Sequence, residues 1–178
     1  MEYDLTLFEK GLEELGIALS QEQKKQFITY YEYLVEKNKV MNLTAITEYN
    51  EVILKHFLDS LSIVKVGSFD QKKLTGKSVI DIGTGAGFPG IPLKIAFPEL
   101  KITLLDSLNK RVNFLNEVIE MLGLKDVTAI HGRAEDYAKQ KEHREKYELL
   151  CLPRSSQSKH PFRVLYPLRK RRRQLYFL

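Results

Sequence analysis

The sequence predicts an α/β protein in which an open, doubly wound parallel sheet follows a small helical N-terminal region. Three observations predict it. Amphipathic helical spacing runs through about the first 65 residues. From Ser78 onward the pattern changes to short apolar runs alternating with helical stretches. A glycine-rich loop separates the first of those runs from the helix after it, the arrangement that places a ligand at a helix start in such sheets.

Asp4 is placed to cap a first helix whose apolar positions Leu5, Phe8, Leu12 and Leu15 recur at helical spacing, with Gly16 as its stop. Ser20 with Gln23 reads as a capping box, opening a second helix striped by Phe27, Tyr31, Leu34 and Val35. After the turn Asn42-Leu43-Thr44, a third helix is expected from a Thr47 cap, with Val52, Phe57, Leu61 and Val64 as its stripe. Ser78 to Ile82 then forms a short apolar run bounded by glycines, a buried strand. Pro89 and Pro92 fall where a helix is starting and its first amides need no partner within the helix, and that helix runs to about Ala96. Lys101 to Asp106 is the next strand, Asn109 to Leu122 the next helix closed by Gly123, and Val127 to Ile130 a third strand. Strand and helix in alternation imply parallel strands joined by right-handed crossovers.

A chain of 178 residues supports one main core. No apolar run approaches the roughly 20 residues that a membrane-spanning helix needs. The acidic start Met1-Glu2-Tyr3-Asp4 lacks the regions of a secretion signal, so the expected location is the cytoplasm. Cys151 is the single cysteine, which excludes an internal disulfide and any metal site built from cysteines. Net charge is +5, and eight of the 28 Lys and Arg lie in residues 151–178 with no acid among them. The body, residues 1–150, is left with 20 basic against 23 acidic residues, so the basic balance belongs to the tail and does not by itself mark the body as a nucleic-acid binder.

The chemistry-bearing segment is Asp81-Ile82-Gly83-Thr84-Gly85-Ala86-Gly87-Phe88-Pro89-Gly90. Glycines at that point let the backbone turn sharply and come close to a ligand, with helix amides aimed at it. Asp106 ends the next strand 23 residues after Gly83, near the spacing at which an acid meets ribose hydroxyls in nucleotide-binding folds. Capping of the following helix is the other reading of Asp106. Two ligand classes share a Rossmann-like layout, the nicotinamide dinucleotides and S-adenosylmethionine. Dinucleotide loops read G-x-G-x-x-G around a pyrophosphate, whereas Gly83, Gly85 and Gly87 give G-x-G-x-G after an acid, Asp81, which would repel an anion and attract a sulfonium and an ammonium group. S-adenosylmethionine is therefore the expected cofactor, with a nicotinamide dehydrogenase as the rival. Beyond the third strand, Ala134 and Glu135 in Gly132-Arg133-Ala134-Glu135-Asp136 are placed either to line an adenine pocket or, for the two acids, to favour the first turn of a helix.

Taken together, Asn42-Leu43-Thr44-Ala45-Ile46, His56 with Asp59-Ser60, the loop from Asp81 to Pro92, Asp106-Ser107-Leu108-Asn109-Lys110-Arg111 and Arg133-Ala134-Glu135 resemble the ribosomal RNA small-subunit methyltransferase G family, also called glucose-inhibited division protein B. The resemblance covers roughly residues 1–149. It implies a class I methyltransferase fold, incomplete in this chain, acting as a monomer without metal or membrane on 16S ribosomal RNA in the small subunit. It also implies transfer of a methyl group from S-adenosylmethionine to guanine N7, with Gly83, Phe88, Ala134 and Glu135 contacting the cofactor. N7 carries a lone pair and no proton, so no catalytic acid or base is named. His56 and Asp59 are read either as facing that site or as packing and capping residues, and Asn42 and Thr44 as an RNA contact or a turn.

Three divisions follow from this reading: a helical region at 1–66, a cofactor-binding half at 67–150 and a non-family basic tail at 151–178. Codons exist for the tail from Leu150 on whose shifted reading spells a family-like string, which makes it a candidate frameshift product with Arg169 to Arg173 as misread glycine codons. The rival reading is a basic RNA-binding tail. Tyr147 to Leu150 is the one possible start of the second half of the sheet, and Pro153, Pro161 and Pro167 are expected to bar the tail from it, leaving the first strand with a poorly covered neighbour and the chain marginally stable and inactive.

Overall fold

A computed structural model describes residues 3–65, 74–141, 143, 145–152 and 175–177. The expected 66/67 boundary and the tail cations from Arg154 to Arg173 lie outside them. Helix α1, Thr6–Leu15, begins where the Asp4 carboxylate accepts from the Thr6 amide, and ends at Gly16 in left-handed conformation. The capping box is complete: Ser20 accepts from the Gln23 amide and Gln23 reaches back to the Ser20 amide, opening α2, Gln21–Met41. Such a cap contributes about 1 kcal/mol. The buried stripe of α2 is Phe27, Tyr30 and Leu34, with Tyr31 and Val35 only half-buried on its shoulder.

The third helix differs from expectation at its start. Glu48, rather than Thr47, accepts from the Asn50 and Glu51 amides to open α3, Tyr49–Val52, while the Thr47 carbonyl receives the Tyr31 hydroxyl. A wider π-helical turn, Ile53–Leu58, follows, then α4, Asp59–Leu61, and a tight 3-10 turn, Ser62–Lys65. Phe8, Phe27 and Phe57 meet with ring centroids 4.9 and 5.0 Å apart along the chain Phe8–Phe27–Phe57, and Tyr30 stacks on Phe57. This aromatic column is the spine of the helical region.

The sheet is parallel throughout, in the order β3-β2-β1-β4-β5. Its strands are β1 Ser78–Ile82, β2 Lys101–Asp106, β3 Val127–His131, β4 Leu149–Leu152 and β5 Leu175–Phe177. The helices between them are α5 Gly90–Ala96, α6 Asn109–Met121 and α7 Ala134–Lys139. Alternate strand residues serve the two faces, as the pleat requires. Val79, Ile102, Leu104, Leu149 and Cys151 join the core shared with the N-terminal helices. Ile80, Ile82, Leu105, Leu150 and Leu152 join a smaller core under Ala138 and Tyr147. Buried Lys94 on α5 donates to the carbonyls of Pro98 (2.7 Å) and Leu100, closing the turn into β2.

Two expectations are corrected. β4, which pairs with the outer edge of β1 with Asp81 opposite Cys151, is not a poorly covered neighbour: its four residues are buried and its other edge pairs with β5. The tail is not barred from the sheet either: Leu175 to Phe177 pair with Leu150 to Leu152. These three residues follow the prolines and the Arg run, so neither interrupts them, and apolar and aromatic side chains suit a strand. No helix among the described residues is long and apolar enough to cross a membrane.

Candidate functional site

Strand order reverses between β1 and β4, so a crevice opens beyond their carboxyl ends, and the glycine loop lies at that point. The loop is tied to β2 from its first residue, with the Gly83 amide donating to the Leu105 carbonyl at 2.7 Å. Gly83, Gly85 and Gly87 have φ of +68, +60 and +103°, a region that side-chain-bearing residues avoid. A Cβ on Gly87 would also fall 2.7 Å from Ile91, 2.9 Å from the Tyr30 hydroxyl and 3.0 Å from Leu115. At Gly85 a Cβ would meet only the Gly83 carbonyl, at 4.0 Å, and open space elsewhere. Gly87 is thus a packing glycine, and Gly85 leaves its backbone free for close approach by a ligand.

Two buried carboxylates hold this loop from below. Asp81, 1% exposed, accepts from the Thr84 hydroxyl (2.6 Å) and the Gly90 amide (2.9 Å), bracing both ends of the loop. Burial pushes its pKa up to about 7, against the pull of those two bonds and with a further push from Asp106. Asp81 lies buried beneath the loop and outside the cleft lining, so the attraction to a cationic ligand inferred for it is not a direct contact. Asp106, 2% exposed, accepts from the Gly85 amide and the Leu108 amide, both at 2.9 Å, and stands 3.5 Å from the Arg111 guanidinium. It joins the loop to the start of α6, which is close to the capping alternative, and it is not among the residues that line the cleft. Cys151, opposite Asp81, is fully buried, and desolvation first and then Asp81 raise its thiol pKa.

The cleft has a volume of about 670 Å³ and is lined by Ile82, Gly83, Leu105, Ser107 and Gly132 to Asp136. It brings Gly83, Ala134 and Glu135 together across the carboxyl ends of β1, β2 and β3. Glu135 and Asp136 are exposed at its edge, so the acids facing a ligand come from α7 rather than from β1. Phe88 lies apart from this lining, on the side of the loop toward the helical region. There its ring stacks on His56 at 4.4 Å and 12° and tilts against Tyr30 at 5.6 Å. His56 Nε2 is 2.8 Å from the Thr44 hydroxyl, and burial lowers the imidazole pKa, with a Lys55 backbone bond and Asp59 acting the other way. Asp59 itself is exposed, as is Asn42, which ends α2 with φ +50°.

Sequence reasoning missed two participants. Tyr30 donates its buried hydroxyl to the Ala86 carbonyl inside the loop. Its place three residues after Phe27 and four before Leu34 is the signal that was available. Ser107 lines the cleft and directly follows the acid that ends β2, where the rule placing ligands at the carboxyl edge would have found it.

A glycine loop after the first strand, an acid closing the second and a cleft over the third define a Rossmann-like nucleotide-type binding fold. A SAM-dependent methyltransferase from Aquifex aeolicus has this fold, with a TM-score of 0.53 and 22% identity over 71% of this chain and 65% of that one. A Methanococcus maripaludis protein assigned as an S-adenosyl-L-methionine-dependent methyltransferase has it too, with a TM-score of 0.58 and 18% identity over 83% of this chain and 61% of that one. The family described as rRNA small subunit methyltransferase G matches residues 23–178, and the chain belongs to it. The ribosomal RNA small subunit methyltransferase G of Lachnoclostridium phytofermentans is 57% identical over 147 residues, 83% of this chain and 59% of that protein. The chain spans about three fifths of the length of the curated relatives it matches. The family match itself runs past Leu149, where the sequence resemblance stops, to residue 178.

Proposed function

We propose that the chain binds S-adenosylmethionine in the cleft over β1 to β3, and that the reaction served is methyl transfer to N7 of a guanine in 16S ribosomal RNA. The observation carrying this is the glycine loop at the strand-order switch, with Gly83 forming one wall of the cleft and Glu135 the other. Gly83 and Gly85 offer backbone for close approach, Ile82, Leu105 and Ala134 offer apolar contact to an adenine ring, and Ser107 with Glu135 offers acceptors to hydroxyl and amine groups. A rim with two acids and one Arg133 suits a cationic ligand better than a pyrophosphate. Phe88 and Gly87 then act by holding the loop against the helical region, and Asp106 by fixing Gly85.

S-adenosylmethionine supplies an activated methyl group on a sulfonium centre. Guanine N7 needs no general base, so what remains for the protein is to orient the partners and to exclude water, which electrostatics and positioning accomplish. In this proposal residues 1–66 are the helical wall behind the loop, 67–150 the cofactor-binding half and 151–178 a basic tail.

Calorimetric titration of the 178-residue chain with S-adenosylmethionine, and separately with NADH, tests the proposal. S-adenosylmethionine is expected to bind and NADH not to. Gly85→Val, which fills the open backbone with a branched side chain, is expected to weaken binding by tenfold or more. Unchanged affinity in that variant, or preference for the dinucleotide, rejects the assignment.

A further inference from the structure

The segment between α3 and α4 winds as a single π-helical turn, Ile53–Leu58, with no glycine or proline in it to force the widening. Such turns are rare and concentrate at functional sites. This one buries Ile53, Phe57 and Leu58 and leaves His56 half-buried against the glycine loop, its ring parallel to that of Phe88. Tyr30 tilts against Phe88 as well, and the Phe88 amide donates back to the Thr84 carbonyl at 3.1 Å, so Phe88 closes the turn that contains Gly85. At its edge, His56 meets the Thr44 hydroxyl through Nε2. Thr44 is itself fixed twice: its amide donates to Asn38 Oδ1 at 2.9 Å, and its hydroxyl accepts from the Ile46 amide at 3.1 Å. With that oxygen already accepting, the Thr44 hydrogen is given to Nε2, and the order amide to hydroxyl to imidazole runs one way. It requires a neutral ring with its proton on Nδ1. Burial favours that form, while a Lys55 backbone bond and the charge of Asp59 oppose it; Thr44 and Phe88, which the neighbouring segments bring to the ring, carry no charge. Packing alone does not select this residue, because a phenylalanine would stack on Phe88 and leave no ring nitrogen to satisfy.

Resting on the reading of the cleft as the S-adenosylmethionine site, we propose that His56 is a positioning residue for the glycine loop. Its ring plane, fixed by Thr44, sets the plane of Phe88, and Phe88 through its bond to Thr84 holds Gly85 in the conformation that a ligand meets. The residue touches neither cofactor nor reacting atoms. It acts by removing, before binding, the freedom that the loop would otherwise lose on binding. Thr44 and His56 are then one device: either side chain without the other leaves the ring of Phe88 without a fixed neighbour.

The test is calorimetric titration of the full chain with S-adenosylmethionine, with urea stability measured on the same samples and the tautomer of His56 read from the 15N spectrum of its imidazole. The wild type is compared with Thr44→Ser, Thr44→Val, His56→Phe and the double variant Thr44→Val/His56→Phe. Thr44→Ser keeps the hydroxyl and is expected to keep the wild-type affinity. Thr44→Val and His56→Phe each remove the same hydrogen bond and are expected to weaken binding about fivefold. The double variant is expected to bind no more weakly than His56→Phe alone, because the bond can be lost only once. The wild-type spectrum is expected to show the proton on Nδ1. Lowered stability with unchanged affinity in Thr44→Val and His56→Phe would make the pair merely structural and overturn the proposal. So would losses that multiply in the double variant, or a proton found on Nε2. No binding of S-adenosylmethionine by the wild type would reject the cofactor reading instead, and the tautomer and the urea stabilities would still decide whether Thr44 orients His56.

Discussion

The two faces of the loop from Gly83 to Gly90 are built on opposite principles. Its underside is crowded with buried polar groups that bond one another: Asp81 to Thr84 and Gly90, Asp106 to Gly85 and Leu108, Tyr30 to Ala86. Its cleft face offers the exposed backbone of Gly83, with exposed acids across the gap at Glu135 and Asp136. A ligand that must be met by backbone needs a backbone that does not move, and the buried carboxylates supply that rigidity where a charge aimed at the ligand would have left the loop unsupported. The acids adjoining the glycines thus mark the site without facing it.

Placing a side chain on the crowded face is the most damaging test of this contrast. Gly87→Ala meets both a left-handed backbone at φ +103° and close contacts with Ile91, Tyr30 and Leu115. Positive φ and overpacking cost about 1–3 kcal/mol each, so the expected loss is about 3 kcal/mol or more of unfolding free energy in urea. A loss under about 1 kcal/mol would mean that the underside is looser than its geometry.

Asp81 gives the next largest effect and a pH signature. In the unfolded chain its carboxyl ionises near 3.8, and in the folded chain near 7, chiefly because burial disfavours the charge. The folded state therefore binds the extra proton. Its contribution to stability is complete below about pH 4, is lost as pH rises toward about 7, and changes no further above that. Asp81→Asn keeps an acceptor for Thr84 and Gly90 but does not titrate. The stability of the variant relative to wild type should rise across that window by a few kcal/mol in order of magnitude. Parallel urea-stability profiles for the two proteins would show that Asp81 is ionised, and hence hydrated, throughout.

Much of the architecture was legible in the sequence for a local reason. The capping box at Ser20, the glycine stops at Gly16 and Gly123 and the strand runs of β1, β2 and β3 depend on neighbours within a few residues, and all appear where local signals place them. The misplacements are tertiary. Tyr31 looked like a stripe residue because its apolar ring suits one, but Tyr30 is the residue whose hydroxyl finds a carbonyl across 56 positions of sequence. Thr47 lost the cap to Glu48, a long acid that takes two amides at once. The direction in which Asp81 points depends on Thr84 and Gly90 folding back over it, which spacing alone does not contain. β5 joins β4 by pairing Leu175 with Leu150, a long-range contact that local signals do not contain.

The smallest effect concerns how the helical region reaches the loop. Tyr30 belongs to α2, stacks on Phe57, and its hydroxyl donates to the Ala86 carbonyl at the centre of the loop. Burial, and then Asp81, raise its pKa well above the ordinary phenol value, which favours the protonated hydroxyl as donor. Tyr30→Phe keeps the ring and the stack and removes only that bond, leaving a buried carbonyl without its partner. The cost of such a change is about 1–1.5 kcal/mol. If the underside serves the cleft face, the loss should also appear as a few-fold weaker affinity for S-adenosylmethionine, because a less constrained Gly85 pays part of its ordering on binding. Equal affinity for the two proteins, with stability lowered as expected, would confine Tyr30 to the core and separate the two faces that the loop geometry joins.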